Sequence, residues 1–253
     1  MGGILHTIRS ATSATISRLY SILFSSPTSS NVKIYVDGIY MINSTGLSVE
    51  ANKPNNLTQF RFGSNGSWVK LSVNYPGWDG QISELRVSNN VRYIANFTAP
   101  TSALAQDANT IGLYKASSST TWDEVVNNVS TTPSGVFSIN SVNTKNGLSY
   151  SLDIRNRGNA SPGLVMTGPS TFKDWPVTIE YWARASSNTV TMIPLIFTNT
   201  DRSDPKGIFF AVSPSVNNNN VVFLQSSDAA AQPNNPLYVF ANTWHHYAIT
   251  IEP

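Results

Sequence analysis

The sequence predicts an all-β protein built as an antiparallel sandwich or jelly roll, and three observations lead there. Apolar and polar residues alternate with a period of two along several segments, and clusters of Gly, Pro, Asn and Ser separate those segments at short intervals. After residue 30 no segment carries the 3.6-residue period of a helix, which argues against α/β classes. A chain of 253 residues can hold one large sandwich or two small domains.

In chain order, the first element is an exception. Ile4, Ile8, Ala11, Ile16, Leu19, Ile22 and Leu23 fall at helical spacing, with His6, Arg9 and Arg18 among them and no acid. Ser25-Ser26-Pro27-Thr28-Ser29-Ser30 then reads as a linker, so residues 1–30 are expected to form a short amphipathic helix and linker. Such a helix would dock on the domain or on a partner subunit. Cleaved targeting segments and membrane-surface helices share this Arg- and Ser-rich, acid-poor composition and stand as alternatives. Arg18 and the many hydroxyl residues interrupt any secretory signal core.

From residue 31 the strands begin. Val32, Ile34 and Val36 alternate with Lys33, Tyr35 and Asp37, and Val69, Leu71 and Val73 alternate with Lys70, Ser72 and Asn74. Val177, Ile179, Tyr181 and Ala183 alternate with Thr178, Glu180, Trp182 and Arg184, and Tyr247, Ile249 and Ile251 repeat the pattern at the end. Shorter runs at Phe60–Phe62, Leu164–Met166, Ile208–Val212 and Val221–Leu224 bring the expected set to about ten or more strands, as sandwiches and jelly rolls require. Asp37 and Asp79, each followed by Gly, read as turn residues.

Composition narrows the function classes. Charged residues make up 12% of the chain, about half the roughly 25% of ordinary soluble domains. The polar surface must come from Ser, Thr and the 27 Asn. A net charge of +2 from scattered basic residues argues against a nucleic-acid groove. Zero cysteines removes disulfides, thiol catalysis and thiolate metal sites together. No apolar run approaches the roughly 18 residues of a membrane span.

The final stretch, Thr243-Trp244-His245-His246-Tyr247-Ala248-Ile249-Thr250-Ile251-Glu252-Pro253, is a strand pattern with no partner after it. Its partner is expected in Asn31-Val32-Lys33-Ile34-Tyr35-Val36-Asp37-Gly38-Ile39-Tyr40. Written head to tail, the two resemble the central hairpin of laminin-G-like domains, the concanavalin A-like jelly rolls. Gly77-Trp78-Asp79-Gly80-Gln81-Ile82-Ser83-Glu84-Leu85-Arg86-Val87-Ser88 resembles the family's last core strand, with Ser83 where an Asp is common. Arg92–Thr101 resembles the exit segment of such domains in bacteriophage tail and virion proteins. Asp107–Tyr114 resembles their first strand and Trp175–Arg184 their central one.

The resemblance spans residues 31–253, with 31–100 carrying the family's C-terminal half and 107–253 its N-terminal half. That order implies a circular permutant, in which residues 94–108 join the last strand to the first within one sandwich. The alternatives are strand exchange between chains, giving rings or filaments, and a piece cut from a longer array.

Candidate chemistry is sparse. Enzymes that resemble this fold carry a Glu-x-Asp-x-x-Glu triplet, which the chain lacks among its 14 acids. Glu180 has no second acid two residues away and reads as a pairing partner on the sheet face. His245 and His246 are adjacent on a strand, point to opposite faces and cannot share a metal. Asp201 and Asp204 are the best local pair for Ca2+, with Arg202 between them opposing a cation; otherwise no cofactor is expected.

Trp68, Tyr75 and Trp78 around Asn74–Gly77 are the candidate carbohydrate-binding aromatics, and Trp122 lies in a hydroxyl-rich stretch. Trp182 and Trp244 are assigned to packing. Asn43, Asn56, Asn65, Asn96, Asn128 and Asn159 head Asn-x-Ser/Thr sequons, which so much Asn, Ser and Thr produces by chance.

Together with the resemblance, these features imply a non-enzymatic structural or decoration protein of a virus particle, a bacteriophage, facing the virion or extracellular surface. Its partners would be other virion proteins or copies of itself. A glycan-binding adhesin or receptor-binding module of a tail fibre or cell surface is the alternative, and a polysaccharide hydrolase a weaker one.

Overall fold

The computed structural model describes residues 30–47, 59–62, 79–126, 129–131, 137–155, 164–167, 176–186, 192–198, 208–213, 221–226, 230–231 and 242–252. All regular structure among them is β. The strands are β1 (Ser30–Val36), β2 (Ile39–Leu47), β3 (Gln59–Phe62), β4 (Asp79–Ser88), β5 (Thr110–Ala116), β6 (Trp122–Glu124), β7 (Val129–Thr131) and β8 (Phe137–Asn140). They continue with β9 (Ser151–Arg155), β10 (Leu164–Thr167), β11 (Val177–Ala185), β12 (Met192–Thr198), β13 (Ile208–Ser213), β14 (Val221–Ser226), β15 (Ala230–Ala231) and β16 (Trp244–Glu252). The expected N-terminal helix and the expected strand over residues 69–73 lie outside the described residues.

Ten strands form one antiparallel sheet, ordered β2-β1-β16-β11-β4-β5-β6-β7, with β9 also on β4 and β8 on β9. Six form a second, ordered β10-β3-β12-β13-β14-β15. The pairing expected between the two ends of the sequence is present within the chain: β1 lies antiparallel on β16, with Ile34 directly opposite Ile249. β11 sits at the centre, between β16 and β4. β4 and β5 pair directly. One edge of β4 serves two strands: residues Glu84–Ser88 face β5 and Asp79–Ile82 face β9.

The period of two gives the large sheet two distinct faces. On one, cross-strand rows read Ile34–Ile249–Ile179–Val87 and Val36–Tyr247–Tyr181–Leu85–Tyr114, all buried. Tyr181 and Tyr247 stack in the second row, ring centroids 5.2 Å apart. Apart from Leu85, these inward positions hold β-branched or aromatic residues, which a pleated, buried surface favours. The opposite face carries the polar rows Tyr35–Ala248–Glu180–Arg86 and Thr250–Thr178–Ser88, yet these too are buried.

Two features fix the hairpin that joins β1 to β2. Asp37 and Gly38 both have positive φ, 50° and 80°, and Val36 pairs with Ile39, so the turn is a two-residue Asp-Gly hairpin of the mirror-image type. Asp79, the other expected turn residue, instead opens β4 opposite Arg155. Its carbonyl accepts from Ser186, tying the start of β4 to the end of β11, so the Asp-Gly dipeptide here is read by neighbouring strands and not by a turn.

Candidate functional site

The polar face is roofed by residues 89–109, a strap without regular structure that leaves β4 and returns as β5. Its ends are pinned to each other by the Asn89 amide donating to the Asn109 carbonyl at 3.0 Å. Beneath it lies a cluster of ionisable side chains from β4, β11 and β16, joined by Arg92 and Tyr93 of the strap itself.

Glu180 is at its heart, fully buried at mid-β11. Its register partner on β4 is Arg86, whose Nε and Nη2 donate to Oε1 at 2.8 and 2.6 Å. The other oxygen, Oε2, accepts from the Tyr93 hydroxyl of the strap at 2.7 Å and lies 3.2 Å from His246 Nε2. A carboxylate only accepts, so Nε2 carries the hydrogen of that contact. Burial pushes the Glu180 carboxyl up, but the His246 hydrogen bond and the Arg86 charge outweigh it and hold the group below its ordinary range. The same carboxylate, with burial leading, pushes the Tyr93 phenol well above its usual value.

The strap is fastened at several further points. Arg92 donates its backbone amide to Thr178 Oγ1 at 3.0 Å and forks onto the Asp107 carboxylate at 2.8 and 2.7 Å. That fork holds the Asp107 carboxyl far below the usual range. Thr178 Oγ1 donates to the Asn90 carbonyl at 2.7 Å, and Arg86 Nη1 donates to the Ala105 carbonyl at 2.7 Å. Glu84, also fully buried, accepts from the Leu104 amide at 2.9 Å and from Asn146 Nδ2 at 3.2 Å. Leu104 is the apolar anchor of this half of the strap.

At the hairpin end the contact is aromatic. Phe97 stacks on Tyr93 with centroids 3.6 Å apart, and both meet Tyr35 edge-on. Burial pushes the Tyr35 phenol up to about 12, and its hydroxyl donates to the Tyr93 carbonyl at 3.1 Å. The Phe97 amide donates to the Gly38 carbonyl at 2.9 Å. A Cβ on Gly38 would sit 1.9 Å from the Phe97 carbonyl oxygen, so only glycine lets the strap cross the turn here.

The turn is also tied to the start of β16. Asp37 accepts from the His246 amide at 2.8 Å and meets His245 Nδ1 at 2.7 Å. Burial pushes its carboxyl up, but those contacts outweigh it and leave the group lowered.

The two histidines are thus on opposite faces, as alternation dictates, each on its own carboxylate. Glu180 pairs across the sheet, as its isolation from other acids suggested. Trp182 packs against His246 under the Lys145 ammonium, which lies 4.4 Å from its ring centroid. Trp122, which lies in a hydroxyl-rich stretch, is fully buried on β6, between β5 and β7. Asn96 is exposed, and its Oδ1 accepts from the Tyr40 amide at 2.8 Å.

Trp68, Tyr75, Trp78, Asp201 and Asp204 lie outside the described residues, as do the sequons at Asn56, Asn65, Asn128 and Asn159. Among the described residues no group of three or more His, Asp and Glu could hold a metal ion. Arg86, Glu84, Arg92 and Tyr93 carry the cluster without having been singled out. Their signal was the register that sets Arg86 beside Glu180, and a single strand's pattern does not contain register.

No family model, no curated protein and no solved structure matches this chain.

Proposed function

We propose that this chain is a non-enzymatic, laminin-G-like jelly roll in circularly permuted order, serving as a structural or decoration subunit on the surface of a virus particle, a bacteriophage. The observation that carries the non-catalytic part is the state of Glu180: both oxygens are spent on Arg86, Tyr93 and His246, and the strap covers them. Glycoside cleavage needs two carboxyls roughly 5 to 9.5 Å apart and open to a sugar. Here Glu84 and Glu180 share a face, but each is occupied in holding the strap down.

A sandwich is the arrangement that accounts for the apolar face of the large sheet. Its rows from Val32 to Leu85 are almost wholly shielded, and a second antiparallel sheet is at hand to shield them. The edges of the two sheets approach where β15 nears β2. The permuted reading draws support from β1 closing on β16 and β4 meeting β5 inside one chain. The virion assignment rests on the resemblance of residues 31–100 and 107–253, on the low charge and on the absence of cysteine.

Immunogold labelling of purified phage particles tests the assignment: regular decoration of the particle supports it, and unlabelled particles overturn it. A glycan array and a reducing-sugar release assay on the purified protein accompany the imaging. Saturable binding lost in Trp68→Ala or Tyr75→Ala would move the reading to an adhesin. Sugar release would move it to a hydrolase.

A further inference from the structure

We propose that Glu84 is a proton-operated clamp, which holds the strap and the 141–148 loop to the sheet more tightly when its carboxyl is protonated. Both covering segments end on this one side chain: Oε2 receives the Leu104 amide of the strap and Oε1 the Asn146 amide of the loop. The loop turns sharply at this point. Asn146 and Gly147 have φ of 58° and 74°, and the Leu148 amide donates to the Lys145 carbonyl at 3.1 Å, a tight turn that presents Asn146 inward.

The charges around Glu84 leave its carboxylate poorly compensated. On β4 itself, the nearest cation on the same face, Arg86, is committed to Glu180. From β11 the Glu180 carboxylate adds repulsion. On β5, Lys115 is the register partner and attracts. On the loop, Lys145 lies over the Trp182 ring. The strap around Leu104, from Thr101 to Gln106, has no titratable residue. Burial pushes the Glu84 carboxyl up; its two hydrogen bonds and Lys115 oppose this without overcoming it.

A protonated carboxyl needs an acceptor, and one stands ready. Asn146 Oδ1 is buried with no hydrogen-bond partner. Rotating the Asn146 amide by half a turn exchanges donor for acceptor towards Glu84 Oε1, so the same pair can serve either protonation state. The sign follows from linkage. A carboxyl raised in the closed state binds its proton more tightly there than when the strap is open. The extra closure is therefore complete below the ordinary value of 4.5 and is lost as pH rises through the raised one.

Amide hydrogen exchange on the full chain, corrected for intrinsic rates and read from pH 4 upward, tests this. In the native sequence, the Leu104 and Leu148 amides should lose protection as pH rises, while β11 and β16 amides stay protected. Glu84→Gln, which keeps an acceptor and a donor without a charge, should hold the strap closed with a flat profile. A flat native profile, an equal slope in the variant, or loss in step with β11 would each overturn the clamp. Carbon-13 titration of the native Glu84 carboxyl gives a second reading, and a midpoint at or below 4.5 would also overturn it.

Discussion

Replacing Glu180 by Gln removes one charge and changes almost no volume, which isolates the electrostatics of the cluster. The native carboxylate is fully buried and takes two contacts from Arg86, one from Tyr93 and one from His246. In Glu180→Gln the Arg86 guanidinium stays buried with no counter-charge on it, and the Gln amide cannot accept on both ends. Removing one partner of a buried pair costs about 3–5 kcal/mol. For a chain of this size each kcal/mol moves Tm by roughly 2–4 °C, so Tm should fall by about 6–20 °C.

Urea unfolding should give the same loss with an unchanged slope, since the exposed surface does not change. Joint replacement, Glu180→Leu with Arg86→Met, deletes both charges and should recover a large part of the loss. A loss under about 1 kcal/mol in the single variant, or no recovery in the double, would refute the claim that this pair is desolvated and mutually dependent.

Three further outcomes are expected. Gly38→Ala should lower stability by more than the roughly 1–2 kcal/mol of a left-handed L-residue, because its Cβ also collides with Phe97; thermal melts and exchange of the Phe97 amide read both effects. Because β1 closes on β16 within the chain, the purified protein should be a monomer by light scattering with a Tm independent of concentration, and Ile34→Ala should cost about 2–5 kcal/mol in that monomer; a Tm that rises with concentration would point to exchange between chains. Asp107, Asp37 and Glu180 all have lowered folded values, so their stabilisation is present above the ordinary 3.8 and 4.5 and disappears as pH falls through the folded values; urea midpoints measured from pH 6 down to 2 should drop, less steeply in Asp107→Asn.

The strands of the large sheet were legible where alternation was clean. Val32-Ile34-Val36, Val177–Ala183 and Tyr247–Ile251 each wrote their buried face into every second residue, and the Asp37-Gly38 dipeptide announced its turn. Pairing of β1 with β16 was legible through the resemblance, because distance along the chain gives no hint of it. The cluster was not. Thr178, Glu180 and Trp182 alternate with apolar residues as a solvent-facing row would, and nothing local tells that a strap arriving from residues 89–109 will cover them. Tyr35 shows the same limit: it alternates with the apolar positions of β1 and is nevertheless fully buried, meeting Tyr93 and Phe97. Asp79 misled because Asp-Gly suits a turn, whereas here it opens β4 and Ser186, just past β11, donates to its carbonyl.

The antiparallel register sets Asn31 beside Glu252, with Lys33 Nζ bonded to the Glu252 carboxylate at 2.8 Å. Tension applied between Ser30 and Glu252 therefore pulls neighbouring points apart and opens the seam rung by rung, like a zipper. Tension between Ser30 and the far side of the sheet would load all rungs of that seam in parallel. The molecule's mechanical strength thus depends on which pair of points carries the pull, and a single-molecule stretching measurement would register two different rupture forces from one fold.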